Sequence, residues 1–373
     1  MDGLVSALQP VLLCGYYGEH NLGDDALLQA LLGQLPPGVQ PLVTAFDQQQ
    51  VQSRFGVATT DRRSLPGVLR ALAGCRALVL GGGSLLQDST SFRSLVYYGA
   101  LIVAARAQGK PVILWGQGLG PLRRRRSRLL ARGLLPLATA ISWRDPDSAE
   151  LAADWGVAGL QGSDPVWSLP TLPWQGAGGP IVVCWRPVHQ LDREGWRPYL
   201  EALDQLAASS GRPVCWLPFH QDQDRGLLDR LTAEGLVSPR LRACSQELVV
   251  ADPVAAMEEF RRAGLVLAMR LHALILAGLA GSPCAALSYD PKVAAAAEGL
   301  GCGCHDLDQP QSVAPLLAQW QSCLDHPSQE GRIGEQRALA GVHRHVLAEL
   351  APPKPPKKDR SENLTEIQLD SSW

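Results

Sequence analysis

Short apolar runs of strand length alternate with helical patterns along most of the chain, and several of these runs end directly in glycine or in a charged side chain. Such alternation is how a parallel sheet with crossover helices reads, because strands covered by helices on both faces need no polar alternation. The first half offers strands at 11–14, 41–44, 77–80, 112–115 and 140–143. Its helices are expected to start near Asp24, Ser94, Arg124 and Pro146, the proline suiting a first helical turn. A second series follows, with strands at 181–185, 214–217, 265–268 and 285–287 and a helix over 253–262. It repeats the architecture without repeating the sequence. The fold class is therefore α/β.

A chain of 373 residues exceeds what one core usually organises, so two domains are expected. The stretch LPTLPWQGAGGP concentrates proline and glycine between two apolar runs and reads as an interdomain linker. The expected division is an N-terminal domain over 1–170, a linker over 171–180, a C-terminal domain over 181–350 and a disordered tail over 351–373. In that tail, prolines, lysines and polar residues cannot bury enough surface to order themselves.

Formal net charge is only -2, so no global field attracts nucleic acid, and any anion site must be assembled locally. Nine scattered cysteines, an odd number, read as reduced thiols in a cytosol. Cys302, Cys304 and His305 look like metal ligands, but no second pair at finger-like spacing completes a tetrahedral set, so no metal is expected. The opening MDGLVSALQPVLLCG lacks the features of a signal peptide, and no uncharged run reaches spanning length. A cytoplasmic protein is expected, one that could touch the inner face of a membrane.

The chemistry gathers at the ends of the apolar runs, where open α/β sheets bind ligands. GYYGEHNLGDDALL follows the first strand with a longer loop than a strand-to-helix turn needs, which makes Asn21 and Asp24 ligand candidates; for Asp24 and Asp25 capping is the plainer role. Gly81-Gly82-Gly83-Ser84 follows the next strand, and Gly82 and Gly83 could let a phosphate approach the backbone, or simply allow close packing. The spacing matches neither nucleotide-binding glycine motif. Asp88 is a candidate base, with a cap as the alternative. WGQGLGPL reads as a third glycine-rich turn. After it, Arg123 to Arg126 and Arg128 form either a solvated helix face or a patch for anionic lipid or a lipid diphosphate.

In the second half Arg186 ends one strand and His220 closely follows another, both directed at an interdomain cleft. LVLAMRLH runs a strand straight into Arg270, Leu271 and His272 ahead of a helix. A guanidinium there needs an anionic partner, either a bound anion or a core carboxylate. Lys292, in SYDPKV, is a weaker phosphate contact.

Taken together, GYYGEHNLGDDALL, GGGSLLQD, WGQGLGPL, SWRD, MRLHALILAGLAG and SYDPKV resemble the polysaccharide pyruvyl transferases, closest to the CsaB type, over residues 10–345. The resemblance implies a GT-B-like fold, two Rossmann-like domains facing across a cleft. It implies transfer of pyruvate from phosphoenolpyruvate to a sugar as a ketal, with no cofactor or metal, and a saccharide acceptor that is lipid-linked or a cell-wall or exopolysaccharide precursor. By the same resemblance Arg270, Leu271 and His272 contact the donor, and Arg186 joins them. His272 would be the general acid and Asp88 a base. The alternative is a GT-B glycosyltransferase using a nucleotide sugar, since fold alone does not decide chemistry.

Overall fold

The computed structural model describes residues 9–89, 91–326 and 333–351. Two all-parallel sheets account for its strands. The first comprises β1 (Val11–Tyr17), β2 (Pro41–Ala45), β3 (Ala58–Asp61), β4 (Ala77–Leu80), β5 (Gly83–Leu86), β6 (Val112–Leu119), β7 (Ala140–Trp143) and β8 (Leu160–Gln161). Their order is β3-β2-β1-β4-β6-β7-β8, with β5 paired to β6. The second comprises β9 (Ile181–Cys184), β10 (Val214–Trp216), β11 (Ser245–Glu247), β12 (Leu265–Ala268), β13 (Cys284–Ser288) and β14 (Gly303–Asp306), ordered β11-β10-β9-β12-β13-β14.

The two orders share one logic. Each sheet grows outward one way from its first strand, then returns to grow the other way, so the order reverses between β1 and β4 and again between β9 and β12. At such a reversal consecutive crossovers leave on opposite faces, and a crevice opens beyond the carboxyl ends of the strands. The strands there are fully buried: Val11 to Cys14, Ala77 to Leu80, Ile181 to Cys184 and Leu265 to Ala268 are each at most 1% exposed. That burial is why they lack polar alternation in the sequence.

One continuous core joins the halves. It runs from Leu13 and Leu27 through Val166 and Trp167 to Val182, Leu274 and Ala286. The outer face of each sheet has its own core, Leu78, Leu101 and Leu114 in the first and Trp185, Leu203 and Trp320 in the second. The stretch between the sheets is pinned rather than loose. Leu172 donates its N–H to Leu279 O and Trp174 Nε1 donates to Ala263 O, both in the second half. At the other end the chain returns to the first half: His343 Nε2 lies 2.7 Å from Ser163 O, and Gln34 Nε2 donates to Ala340 O.

Two sequence expectations change. WGQGLG is not a turn: β6 continues to Leu119 through a register shift at Gly116, whose φ is +56°. Gln117 holds the irregular strand by donating its amide N–H to Leu80 O and Gly81 O. The loop after the first strand is short rather than long, because β1 runs on to Tyr17 and the next helix already starts at Leu22. Cys304 and His305 lie on the edge strand β14. The tail from residue 352 onward lies outside the described residues.

Candidate functional site

Loops from both reversal points enclose a cavity of about 550 Å³. On the first-half side, Asn21 caps the helix Leu22–Gln34, its Oδ1 accepting the Gly23 N–H at 3.0 Å while its Nδ2 donates to Asp24 Oδ2 at 2.5 Å. Asp24 lines the cavity. Burial pushes its carboxyl up to about 6, against the pull of His272, Arg62, Asn21 and Arg270. Gly23 is glycine for a definite reason: a Cβ there would lie 2.3 Å from His272 Nδ1. The imidazole of the second half rests on the bare backbone of the first.

The triple glycine divides its labour. A side chain on Gly81 would strike the Tyr17 hydroxyl at 1.9 Å, and one on Gly82 would strike Leu27 at 2.8 Å, so these two serve close packing. Only Gly83, at φ +99°, lines the cavity, and a short strand follows it rather than a helix. No helix N-terminus therefore backs that loop as a phosphate cradle. The hydroxyl-bearing Ser84, Ser89, Ser91 and Ser94 line the cavity there instead.

On the second-half side, β12 delivers Arg270 as the residue preceding the helix Leu271–Leu279. Its guanidinium grips Asp224 with two bonds, Nε to Oδ2 at 2.9 Å and Nη2 to Oδ1 at 2.5 Å. Asp224 also accepts the N–H groups of Phe219 and His220. The anionic partner that the sequence demanded for Arg270 is thus a carboxylate of the chain itself. Arg186 has no such partner among the described residues: Nη1 donates to the Tyr289 hydroxyl at 3.2 Å, and Nη2 to Gln223 Oε1 at 3.1 Å. The same Gln223 oxygen accepts from Arg270 Nη2 at 3.1 Å, so one amide ties the two guanidiniums together. Lys292 lines the cavity 3.2 Å from Asp290 Oδ2. His220 is buried, and burial lowers its pKa.

His272 lines the cavity and turns Nε2 toward Asp164 Oδ2 at 3.5 Å. Asp164 is buried, and burial alone would raise its pKa. The neighbouring His272 and Arg144, with the Val166 N–H, instead hold it at about 2. It is an ionised carboxylate at neutral pH. Arg144 Nη1 lies 3.4 Å from Asp164 and its Nη2 donates to Ser84 Oγ at 2.8 Å.

The family model for polysaccharide pyruvyl transferase matches residues 21–291, which contain the cavity side chains described above except Lys292. The chain belongs to that family. Similar solved structures are a putative UDP-N-acetylglucosamine 2-epimerase from Listeria monocytogenes, at 13% identity and TM-score 0.60, covering 90% of this chain and 94% of that one. The UDP-GlcNAc 2-epimerase of Methanocaldococcus jannaschii has 10% identity and TM-score 0.59 over 91% and 98% of the two chains. A UDP-glucosyltransferase from Polygonum tinctorium has 13% identity and TM-score 0.57 over 93% and 98%. At these identities the likeness concerns the fold, which is GT-B-like. No curated protein sequence matches the chain.

Asp88, the expected base, is not among the cavity-lining residues. Its Oδ1 accepts the Arg123 N–H at 2.8 Å and its Oδ2 the Arg124 N–H at 2.9 Å. Burial works against ionisation, but these and neighbouring donors more than offset it and hold the carboxyl at about 2. Asp88 anchors the start of the arginine run. The other candidates, Asn21, Asp24, Gly83, Arg186, His220, Arg270, Leu271, His272 and Lys292, all line the one cavity, and Gly82 packs behind it.

Sequence reasoning missed Asp164, Asp224, Gln223, Tyr289 and Arg144 as site residues. Arg144 carried a signal, since it follows a buried strand just as Arg270 closely follows β12. Tyr289 carried the same signal, directly after β13, whereas Asp164, Asp224 and Gln223 are defined by what they touch. A backbone bridge between Asn21 and His220 closes the floor, with Leu22 N–H donating to Phe219 O and Gln221 N–H to His20 O.

Proposed function

We propose that the chain transfers pyruvate from phosphoenolpyruvate to a sugar as a cyclic ketal, with the CsaB-type acceptor, a lipid-linked cell-wall or exopolysaccharide precursor. The observation that carries this reading is one cavity holding two coupled guanidiniums, Arg186 and Arg270, beside an imidazole backed by an ionised carboxylate. Phosphoenolpyruvate carries two anionic groups, a phosphate and a carboxylate, and paired guanidiniums suit both. Lys292 adds a third cation.

In this mechanism His272 protonates C3 of the enol, with Asp164 stabilising the imidazolium and setting the ring's orientation. C2 becomes oxocarbenium-like, a sugar hydroxyl adds to it, and the bond from C2 to the phosphate oxygen breaks. A second hydroxyl of the same sugar then closes the ketal. Of the two hydroxyl protons released, one replaces the proton given to C3 and the other leaves with phosphate. Asp24 receives the hydroxyl proton, since it lines the cavity with an oxygen near neutrality in proton affinity. Asp88 is not used in this step.

The test is phosphate release from phosphoenolpyruvate with and without lipid-linked and free β-glycoside acceptors, using His272→Ala as control. Acceptor-dependent release that disappears in the variant is the expected result. Absence of release, with cleavage of a nucleotide sugar instead, would move the chain to the glycosyltransferases.

A further inference from the structure

From Ser89 through Arg144 the chain contains no Asp or Glu, yet nine arginines and one lysine fall within it. For a chain of net charge -2 this is a strong local segregation of charge. The fold concentrates it further. The segment supplies two crossover helices, Phe92–Ala107 and Arg125–Leu134, which bury Leu95, Leu101, Ile102, Ala131 and Leu134 in the outer core of the first sheet. They lie side by side: Leu134 Cδ1 would meet a Cβ on Gly99 at 2.9 Å, and the Arg126 guanidinium stacks 4.1 Å over the Phe92 ring.

On the first helix, Arg93, Val96 and Val103 are exposed at positions three, seven and ten residues apart, which is one stripe of a helix. On the second, Arg125, Leu129 and Arg132 are exposed opposite the buried Ser127, Ala131 and Leu134. Val96, Val103 and Leu129 are 46%, 51% and 70% exposed, so apolar side chains stand among the cations. Arg93, Arg124, Arg125 and Arg132 have no carboxylate within ion-pair distance among the described residues. The same surface reaches the site, because Arg123 and Ser94 line the cavity and Asp88 holds the backbone N–H groups of Arg123 and Arg124.

We infer that this face docks on an anionic lipid bilayer and holds the cavity mouth at the membrane surface. Unpaired arginines match acidic headgroups, and the interspersed Val and Leu side chains suit the boundary below them. A polyanion such as RNA would satisfy the charges but leave the apolar side chains uncompensated. No described helix is long and apolar enough to cross a membrane, so the contact is peripheral. The inference does not rest on pyruvyl transfer, because docking is measured without substrate.

The experiment is co-sedimentation of the full chain with vesicles of phosphatidylcholine alone or mixed with phosphatidylglycerol, at low and high salt. Binding to the mixed vesicles alone, lost at high salt, is expected. Each arginine near the surface is worth about fivefold in partitioning. The combined Arg93→Gln, Arg124→Gln, Arg125→Gln, Arg132→Gln protein should therefore bind about several hundredfold more weakly. Its circular dichroism and its turnover of a soluble acceptor should be unchanged. Leu129→Ser with Val103→Ser should weaken binding severalfold while keeping the salt dependence. Equal binding to both vesicle types, or no binding to either, overturns the inference. So does binding to RNA that is as tight as to acidic vesicles and indifferent to the serine substitutions.

Discussion

The two halves share a strand order at their reversal points but meet the cavity with different chemistry. The first half presents Gly83, serine hydroxyls, two arginines, Arg123 and Arg144, and one carboxylate whose proton affinity is raised, Asp24. The second presents Arg186, Arg270, Lys292 and His272. Topology explains why both walls lie where they do, since a crevice opens wherever a doubly wound sheet reverses. It does not explain the division of charge. The second half aligns its cations with its own Asp224 and Gln223, but its His272 needs Gly23 and Asp164, both contributed from before the linker stretch.

The comparison is tested most severely at His272. Its replacement by Ala should lower acceptor-dependent phosphate release by about a thousandfold or more, with the KM for phosphoenolpyruvate changed far less. Retained turnover would mean that the acid lies elsewhere and that the second half only binds.

Gly23→Ala comes next, and it acts on the opposite wall. The added methyl displaces the imidazole by ångström amounts, so release should fall about a hundredfold while the protein remains folded. A Gly23→Ala protein with normal turnover would show that the two halves do not need this contact.

Asp24→Asn should remove the acid limb of the rate profile. The wild-type rate should decline as pH falls through about 6, because the base is active only when ionised and burial has raised its pKa. The variant should be slow and flat across that range. A limb that persists in Asp24→Asn would assign the titration to another group.

The smallest effect is expected for Asp88→Asn. The carboxylate holds two backbone N–H groups at the start of the arginine run, so the substitution should cost about 2 kcal/mol of stability and change kcat less than threefold. Because Asp88 is held at about 2 when folded, below the usual carboxylate range, its stabilisation is present above pH about 4 and fades as pH falls through about 2. Loss of most activity without loss of stability would return Asp88 to the catalytic machinery.

Much of this was legible in the sequence, and unevenly. Strand β4, strand β7, strand β12 and the helix Pro253–Arg262 fall where the apolar runs place them, because fully buried parallel strands are written as uninterrupted apolar residues. The short strands β3, β5, β8 and β11 were not legible, since each is only two to four residues and none is an uninterrupted apolar run. β6 was cut short because its glycines read as a turn. In fact Gly116 must be glycine to clear Pro165, which a Cβ would approach to 2.2 Å.

By itself the sequence determined the α/β class, the ends of the principal strands and the cluster of cations and glycines at those ends, because burial and backbone freedom act locally and leave local patterns. Only the tertiary structure decided which charges are spent on each other. Asp224 orients Arg270 across 46 residues, Asp164 faces His272 across the linker stretch, and Asp88 holds the backbone of Arg123 and Arg124. Electrostatic partnership depends on distance in space and on excluded water, and neither is written in the spacing of residues along a chain.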